Sequence, residues 1–205
     1  QEFHSSYSTS CGGLAVTSTN RKNASSNRLG SSGFSSTGER CLTVFQRRPN
    51  YCTPLHNRPI DDETQSGIKA GYAEIFEKCA KSYGGFIHDV DRRKALEVSP
   101  EEREAFFEKL YGEPGFGLWM GNFRDIMIDQ DANDSITAFV RKKIRERVAD
   151  PVVAEKLIPR DHGFGTRRVP METKYYEVFN QVNVLLVDIN ETPIECITPV
   201  GIKTR

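Results

Sequence analysis

Apolar positions are spread very unevenly along this chain. Over 1–40, 23 residues are Ser, Thr, Gly or Asn, and apolar side chains are too sparse to give a strand or helix a buried face, which predicts loop or disorder. The pattern changes at Cys41-Leu42-Thr43-Val44-Phe45, a short run of strand formers that stops at Gln46-Arg47-Arg48-Pro49 and predicts one buried strand with a basic end. From about Asp61 the period becomes helical. Ile68, Tyr72, Ile75, Phe76 and Cys79 share a face, and Gly84-Gly85 supplies the stop. Ser99-Pro100-Glu101-Glu102 predicts a second start, with Ser99 as cap, Pro100 at the first helical position and Glu102 closing a capping box; Phe106, Phe107 and Leu110 give that helix its apolar face. Ile136, Phe139, Val140, Ile144 and Val148 mark a third helix, and Asp150-Pro151 starts a short fourth.

Beyond the Gly-rich loop Asp161-His162-Gly163-Phe164-Gly165, a helix is expected over Thr173–Asn180 and strands over Asn183–Ile189 and Glu195–Thr198. Pro199-Val200-Gly201 then predicts a hairpin turn, with a return strand starting Ile202-Lys203-Thr204. Ending at Arg205, inside that strand, the sequence reads as truncated.

Composition narrows the function classes. At 205 residues the chain has room for one domain and an appendage. Lys plus Arg equals Asp plus Glu at 28 each, so no whole-chain field draws it to nucleic acid or an anionic membrane. Lys142, Lys143, Arg145 and Arg147 sit among acidic neighbours and read as a solvated helical face. Cys11, Cys41, Cys52, Cys79 and Cys196 are odd in number and never in C-x-x-C spacing, which fits neither a disulfide framework nor a zinc site and points to a reducing, cytoplasmic setting. His88 and His162 have no partner at ligand spacing, so no metal is expected. Trp119, Phe116 and Phe123 read as core packing. No apolar run approaches about 18 residues and no secretory leader is visible, so a soluble protein is expected.

The segment Leu42-Thr43-Val44-Phe45-Gln46-Arg47-Arg48-Pro49-Asn50-Tyr51 resembles the second strand of the NADPH-binding domain in Baeyer–Villiger monooxygenases. The resemblance continues in Glu97-Val98-Ser99-Pro100-Glu101-Glu102-Arg103 and Gly115-Phe116-Gly117-Leu118-Trp119. It is closest in Lys156-Leu157-Ile158-Pro159-Arg160-Asp161-His162-Gly163-Phe164-Gly165-Thr166-Arg167-Arg168-Val169-Pro170 and in Tyr175-Tyr176-Glu177-Val178-Phe179-Asn180. It spans about 41–205 without a large gap.

The chemistry agrees with that resemblance. NADPH carries a 2′-phosphate that NADH lacks, and a nucleotide-binding fold reads the adenosine ribose at the end of its second strand. An acidic residue there selects NADH. Arg47 and Arg48 offer instead planar guanidinium groups suited to phosphate oxygens, although two arginines leaving a strand are ordinarily just its solvated end. The resemblance implies this phosphate role for Arg47; the family usually has Thr at the position of Arg48. It further implies that Arg167 helps hold the 2′-phosphate and that Arg168 is catalytic, reaching flavin and nicotinamide to stabilise a negatively charged peroxyflavin. Arginine suits that task because it cannot lose its charge by deprotonation.

The nucleotide-binding G-x-G-x-x-G appears only as a relic, Arg28-Leu29-Gly30-Ser31-Ser32-Gly33. Gly30 and Gly33 keep the second and third glycines as cofactor-binding candidates, but Arg28 stands where the first should make the tight turn. The preceding Asn23-Ala24-Ser25-Ser26-Asn27 cannot form the apolar strand that should lead into the loop. Only seven residues separate Gly33 from Cys41, fewer than the roughly 10–12 of a crossover.

The expected fold is therefore α/β: a partial Rossmann-like NADPH-binding domain over 41–60 and 161–205, a mainly helical insertion over 61–160, and a degraded or disordered 1–40. The resemblance implies an internal fragment of a flavin- and NADPH-dependent monooxygenase, with FAD as second cofactor and a ketone and O2 as substrates. Because no FAD domain is visible, the chain is expected to be inactive alone. Two alternatives stay open: a non-catalytic remnant that binds NADP(H) weakly or not at all, and a related flavin-dependent N- or S-oxygenase.

Overall fold

The computed structural model describes Ala15–Asn20 and residues 40–205 other than 83 and 200. In chain order its elements begin with β1 (Ala15–Asn20), β2 (Arg40–Gln46), β3 (Thr53–Pro54), α1 (Asp62–Ala70), α2 (Tyr72–Lys81), α3 (Pro100–Gly112) and α4 (Gly117–Met120). They continue with α5 (Gln130–Arg147), α6 (Pro151–Leu157), β4 (Met171–Glu172), α7 (Tyr175–Val178), β5 (Val184–Asp188), β6 (Ile194–Thr198) and β7 (Gly201–Thr204). This mixture of helices and strands is of the α/β class. The chain divides into two compact units: unit 1 takes residues up to Asn50 with Ile144–Pro159 and Tyr175–Arg205, and unit 2 takes Tyr51–Lys143 with Arg160–Lys174.

Unit 1 is organised by a three-stranded sheet of order β1-β2-β5. The apolar run of β2 pairs parallel with β5, from Leu42 opposite Val184 to Gln46 opposite Asp188. Its side chains Val44 and Phe45 are buried, as a strand flanked on both sides requires. Gln46 is also buried, and its Nε2 donates to the Lys156 carbonyl at 2.7 Å, which offsets the cost of taking an amide out of water. At the start of α6, the Asp150 side chain accepts from the amides of Val152 and Val153 and Pro151 occupies the first turn, as the sequence predicts.

Two expectations fail in this unit. The stretch Ala15–Asn20, within the segment read as loop or disorder, is a strand antiparallel to β2, from Ala15 opposite Phe45 to Asn20 opposite Arg40. Such pairing needs only backbone groups, which composition does not report. The helix expected over Thr173–Asn180 contracts to the single turn of α7, preceded by Lys174 at φ 57°, a left-handed conformation that a helix cannot absorb. The expected hairpin forms as the antiparallel pair β6-β7.

Unit 2 buries Phe107 and Leu110 of α3 and Ile136, Phe139 and Val140 of α5. The Phe107 ring lies 5.9 Å from that of Phe123 and 5.5 Å from that of Phe139, inside the range of favourable aromatic pairs. Ser99 caps α3 as predicted, accepting from the Glu102 amide. The helix expected from Asp61 is instead broken at Gly71 into α1 and α2. The break ends the shared face: Ile68, Tyr72 and Phe76 stay exposed, with Tyr72 and Phe76 against each other at 5.4 Å.

The basic residues of α5 are ion-paired. Lys142 and Lys143 reach Glu104 and Glu108, while Arg145 and Arg147 reach Glu155 and Glu177. Lys143 and Arg147 go beyond the solvated face expected: Lys143 Nζ lies over the Phe139 ring and the Arg147 guanidinium over Tyr176. Cys41, Cys79 and Cys196 are free thiols; Cys52 is disulfide-bonded, although the number and spacing of the cysteines fitted no disulfide framework. Among the described residues, no helix is long and apolar enough to cross a membrane.

Phe107 is 1 % exposed, so Phe107→Ala should remove about 3–5 kcal/mol of stability. Urea denaturation measures this; a loss below about 1 kcal/mol would show that the ring does not anchor this core.

Candidate functional site

In unit 1, the parallel register brings the C-terminal ends of β2 and β5 side by side. The Ile189 amide donates to the Gln46 carbonyl at 3.0 Å, and Asn190 Nδ2 donates to the Arg47 carbonyl at 2.6 Å. The backbone of Arg47 is thus fixed while its side chain, like that of Arg48, is exposed. Among the described residues no carboxylate pairs with the Arg47 guanidinium. The nearest acidic strand end, Asp188, is occupied with its own turn, its Oδ1 accepting from Asn190 N at 2.9 Å and Asn190 Nδ2 at 2.8 Å. The strand end therefore carries an exposed cation on a fixed backbone, next to a buried, neutral glutamine.

In unit 2, Arg167 and Arg168 follow a loop that is pinned to α5. The Phe164 ring is fully buried, so its peptide groups need partners inside the protein. Its amide donates to Thr137 Oγ1 at 2.9 Å, and its carbonyl accepts from Asn133 Nδ2 at 2.9 Å. Asn133 Nδ2 also donates to the Ile126 carbonyl at 2.7 Å, and Thr137 Oγ1 donates to Asn133 Oδ1 at 3.2 Å. Thr166 closes the turn, its hydroxyl donating to the Gly163 carbonyl at 2.9 Å.

Two glycines make this approach possible. A Cβ on Gly163 would collide with Asn133 Oδ1. Gly165 has φ +78°, and a Cβ there would lie 2.8 Å from Met127 Sδ and 3.0 Å from the Trp119 ring.

Ahead of the glycines, Asp161 engages two neighbours. His162 Nδ1 donates to Asp161 Oδ1 at 2.7 Å, and Arg167 reaches Asp161 Oδ2 at 3.0 Å. The hydrogen bond from His162 holds the Asp161 carboxyl below the usual carboxylate range, and the charge of Arg167 adds to the effect. The His162 ring packs edge-on against Tyr51 at 5.3 Å. Arg141 Nε donates to the Tyr51 hydroxyl at 3.0 Å, while burial raises the phenol's pKa above its ordinary value.

The residues expected from the sequence fall as follows. Arg47 and Arg48 lie in unit 1, and Arg167 and Arg168 in unit 2. Gly30 and Gly33 lie outside the described residues. Asn133, Thr137, Asp161 and Tyr51 were missed, and a signal for the first two existed. They are polar residues four apart on a helix stripe otherwise carried by Ala132, Ile136 and Val140, where a polar pair has to find buried partners.

No protein-family model matches the chain. It is 53% identical over 163 residues to 2-oxo-Delta(3)-4,5,5-trimethylcyclopentenylacetyl-CoA monooxygenase of Pseudomonas putida, covering 80% of this chain and 30% of that protein. It is 42% identical over 182 residues to cyclopentanone 1,2-monooxygenase of Comamonas sp. (strain NCIMB 9872), covering 85% of this chain and 33% of that protein. Among solved structures, the complex of OTEMO with FAD and NADP aligns with a TM-score of 0.77 and 52% identity, over 79% of this chain and 30% of that one. The chain spans about a third of the length of these relatives.

Two substitutions probe the loop. Gly163→Ala, which forces the loop off Asn133, should cost about 1–3 kcal/mol in urea denaturation; a neutral result would show that the loop adjusts freely. Asp161→Asn tests the carboxylate. A lowered pKa means that its contribution to stability is fully present above the unfolded value, about 3.9, and is lost as pH falls through the lowered one. The stability difference between wild type and Asp161→Asn should accordingly be present at pH 7 and shrink in acid. A difference that grew on acidification would contradict the pairing.

Proposed function

Since the chain belongs to the Baeyer–Villiger monooxygenase family, we propose that it supplies the NADPH-handling part of a flavin-dependent monooxygenase that inserts one oxygen atom of O2 into a ketone to give an ester or lactone. In this reading the sheet of unit 1 is part of a Rossmann-like nucleotide-binding domain. Unit 2 is the mainly helical insertion, and it carries the loop with Arg167 and Arg168.

The observation that carries the reading is the end of β2. Arg47 is fixed through its carbonyl, exposed through its side chain, and without a carboxylate partner among the described residues. The site thus fits a 2′-phosphate: a guanidinium that is not neutralised can take two phosphate oxygens in parallel, charge-assisted bonds. Among the described residues, β2 ends in the buried, neutral Gln46 rather than in an acidic residue that would claim the ribose hydroxyls of NADH, and Asp188, at the end of β5, accepts from Asn190 through Oδ1.

Arg167 is also a nucleotide phosphate ligand in this proposal, and Arg168 is the catalytic residue, a permanent cation for flavin and nicotinamide. Arg48 is a secondary phosphate contact. NADPH, when bound, is the source of hydride for FAD, and reduced FAD is what activates O2. What this chain contributes is binding and orientation: Arg47 and Arg167 recognise the nucleotide, and Arg168 supplies fixed positive charge. Apart from the charge of Arg168, no residue of the chain is assigned to FAD, and none to the ketone.

The test is nucleotide selectivity. Titration calorimetry of the chain with NADP+ and NAD+ should show preference for NADP+. Arg47→Ala should weaken NADP+ by about 10–100-fold, the worth of one charge-assisted contact, and change NAD+ little. Equal losses for both nucleotides, or a wild-type chain that does not distinguish them, would overturn the assignment.

A further inference from the structure

Asn133 and Thr137 lie one helical turn apart on α5, 6% and 4% exposed, and neither is needed to build the helix. Asparagine and threonine are among the weaker residues for a helix interior, where an aliphatic residue would pack without a polar demand. Here their polar atoms are spent on one peptide segment. Thr137 Oγ1 receives the Phe164 amide and Asn133 Nδ2 reaches the Phe164 carbonyl, while the Thr137-to-Asn133 bond at 3.2 Å fixes both rotamers. The carboxamide is further tied to the Ile126 carbonyl, and Gly163 lets the backbone settle directly on it. Three residues past the gripped peptide, after the turn closed by Thr166, come Arg167 and Arg168.

We propose that Asn133 and Thr137 are positioning residues that set where Arg167 and Arg168 stand, and so determine selectivity for the 2′-phosphorylated nucleotide from beneath the loop. This rests on the reading of Arg167 as a phosphate ligand. The two residues touch no nucleotide in this account; they act through the Phe164 peptide. A loop held at one end by Phe164 and at the other by Val169, which is 2% exposed, leaves the two arginines little backbone freedom, so the entropic cost of ordering them is met before the nucleotide arrives.

The experiment compares NADP+ and NAD+ affinities in wild type, Thr137→Val and Thr137→Ser. Valine keeps the shape and removes the hydroxyl; serine keeps the hydroxyl. Thr137→Val should lower the NADP+ to NAD+ preference by about fivefold or more, roughly the worth of one hydrogen bond, and Thr137→Ser should restore most of it. A purely structural role would instead weaken both nucleotides together, and an equal loss or an unchanged ratio overturns the proposal. Should the valine variant not fold, hydrogen exchange on the wild-type chain decides: NADP+ should protect the Phe164 and Thr166 amides more than NAD+ does, and equal protection overturns it. A wild-type chain without NADP+ preference fails the Arg167 reading itself, an outcome distinct from selectivity that survives in Thr137→Val.

Discussion

Burying the Phe164 ring takes a peptide unit into a place where water cannot serve it. An unpaired buried amide or carbonyl costs on the order of 1–3 kcal/mol, enough to expel the loop unless partners are built beneath it. Asn133 and Thr137 are those partners, and much of unit 2 follows from where they stand. The approach requires glycine at 163 and a left-handed glycine at 165. It draws Trp119 and Met127 against the loop, and Tyr51 against His162 and Phe164. Apolar packing brings the elements together, but the buried polar pair decides which loop backbone lies on α5 and in what register, because a shift of one residue would offer the wrong amide to the wrong acceptor.

Unit 1 depends on a different constraint, the parallel pairing of β2 and β5. Parallel neighbours end at the same edge, so the chain leaves both strands together, and the turn after β5 is free to bind the backbone after β2. Asn190 does this, bridging its own Asp188 and the Arg47 carbonyl. The arrangement engages one oxygen of Asp188 in the turn while leaving the Arg47 side chain exposed. In a chain with 28 acidic and 28 basic residues, most of whose described α5 cations have found carboxylates, an exposed arginine with no carboxylate partner among the described residues is a site suited to a foreign anion.

Much of this was legible in the sequence, and the failures share a cause. The apolar runs of β2 and β5, the caps at Ser99 and Asp150 and the stripe of α5 are local signals that tertiary structure did not override. What could not be read were features created by pairing or by breaks in phase. β1 needs only the open backbone edge of β2. At Gly71 one residue divides a periodic face in two, and periodicity alone has no means of locating such a break. Thr137 and Asn133 looked like blemishes on an apolar stripe, because their partners lie 27 and 31 residues away in sequence. The arginine pairs were visible as residues, but the carboxylate neighbour of Arg167 was not, since Asp161 meets it through the turn of the loop rather than at a helical or strand spacing.

That last pairing bears on how a nucleotide could be received. The Arg167 and Asp161 side chains are 44% and 45% exposed, and an ion pair this open to solvent is worth about 0–1 kcal/mol. It can orient Arg167 without holding it. A phosphate group brings nearly two negative charges and three acceptor oxygens, so it can displace a single solvated carboxylate at little cost. Asp161 is not then left unsatisfied, because His162 still donates to its other oxygen. The carboxylate can therefore keep the guanidinium aligned before an anion arrives and give it up afterwards, which requires the pair to be weak; a buried, tightly coupled bridge at the same position would close the site it now keeps ready.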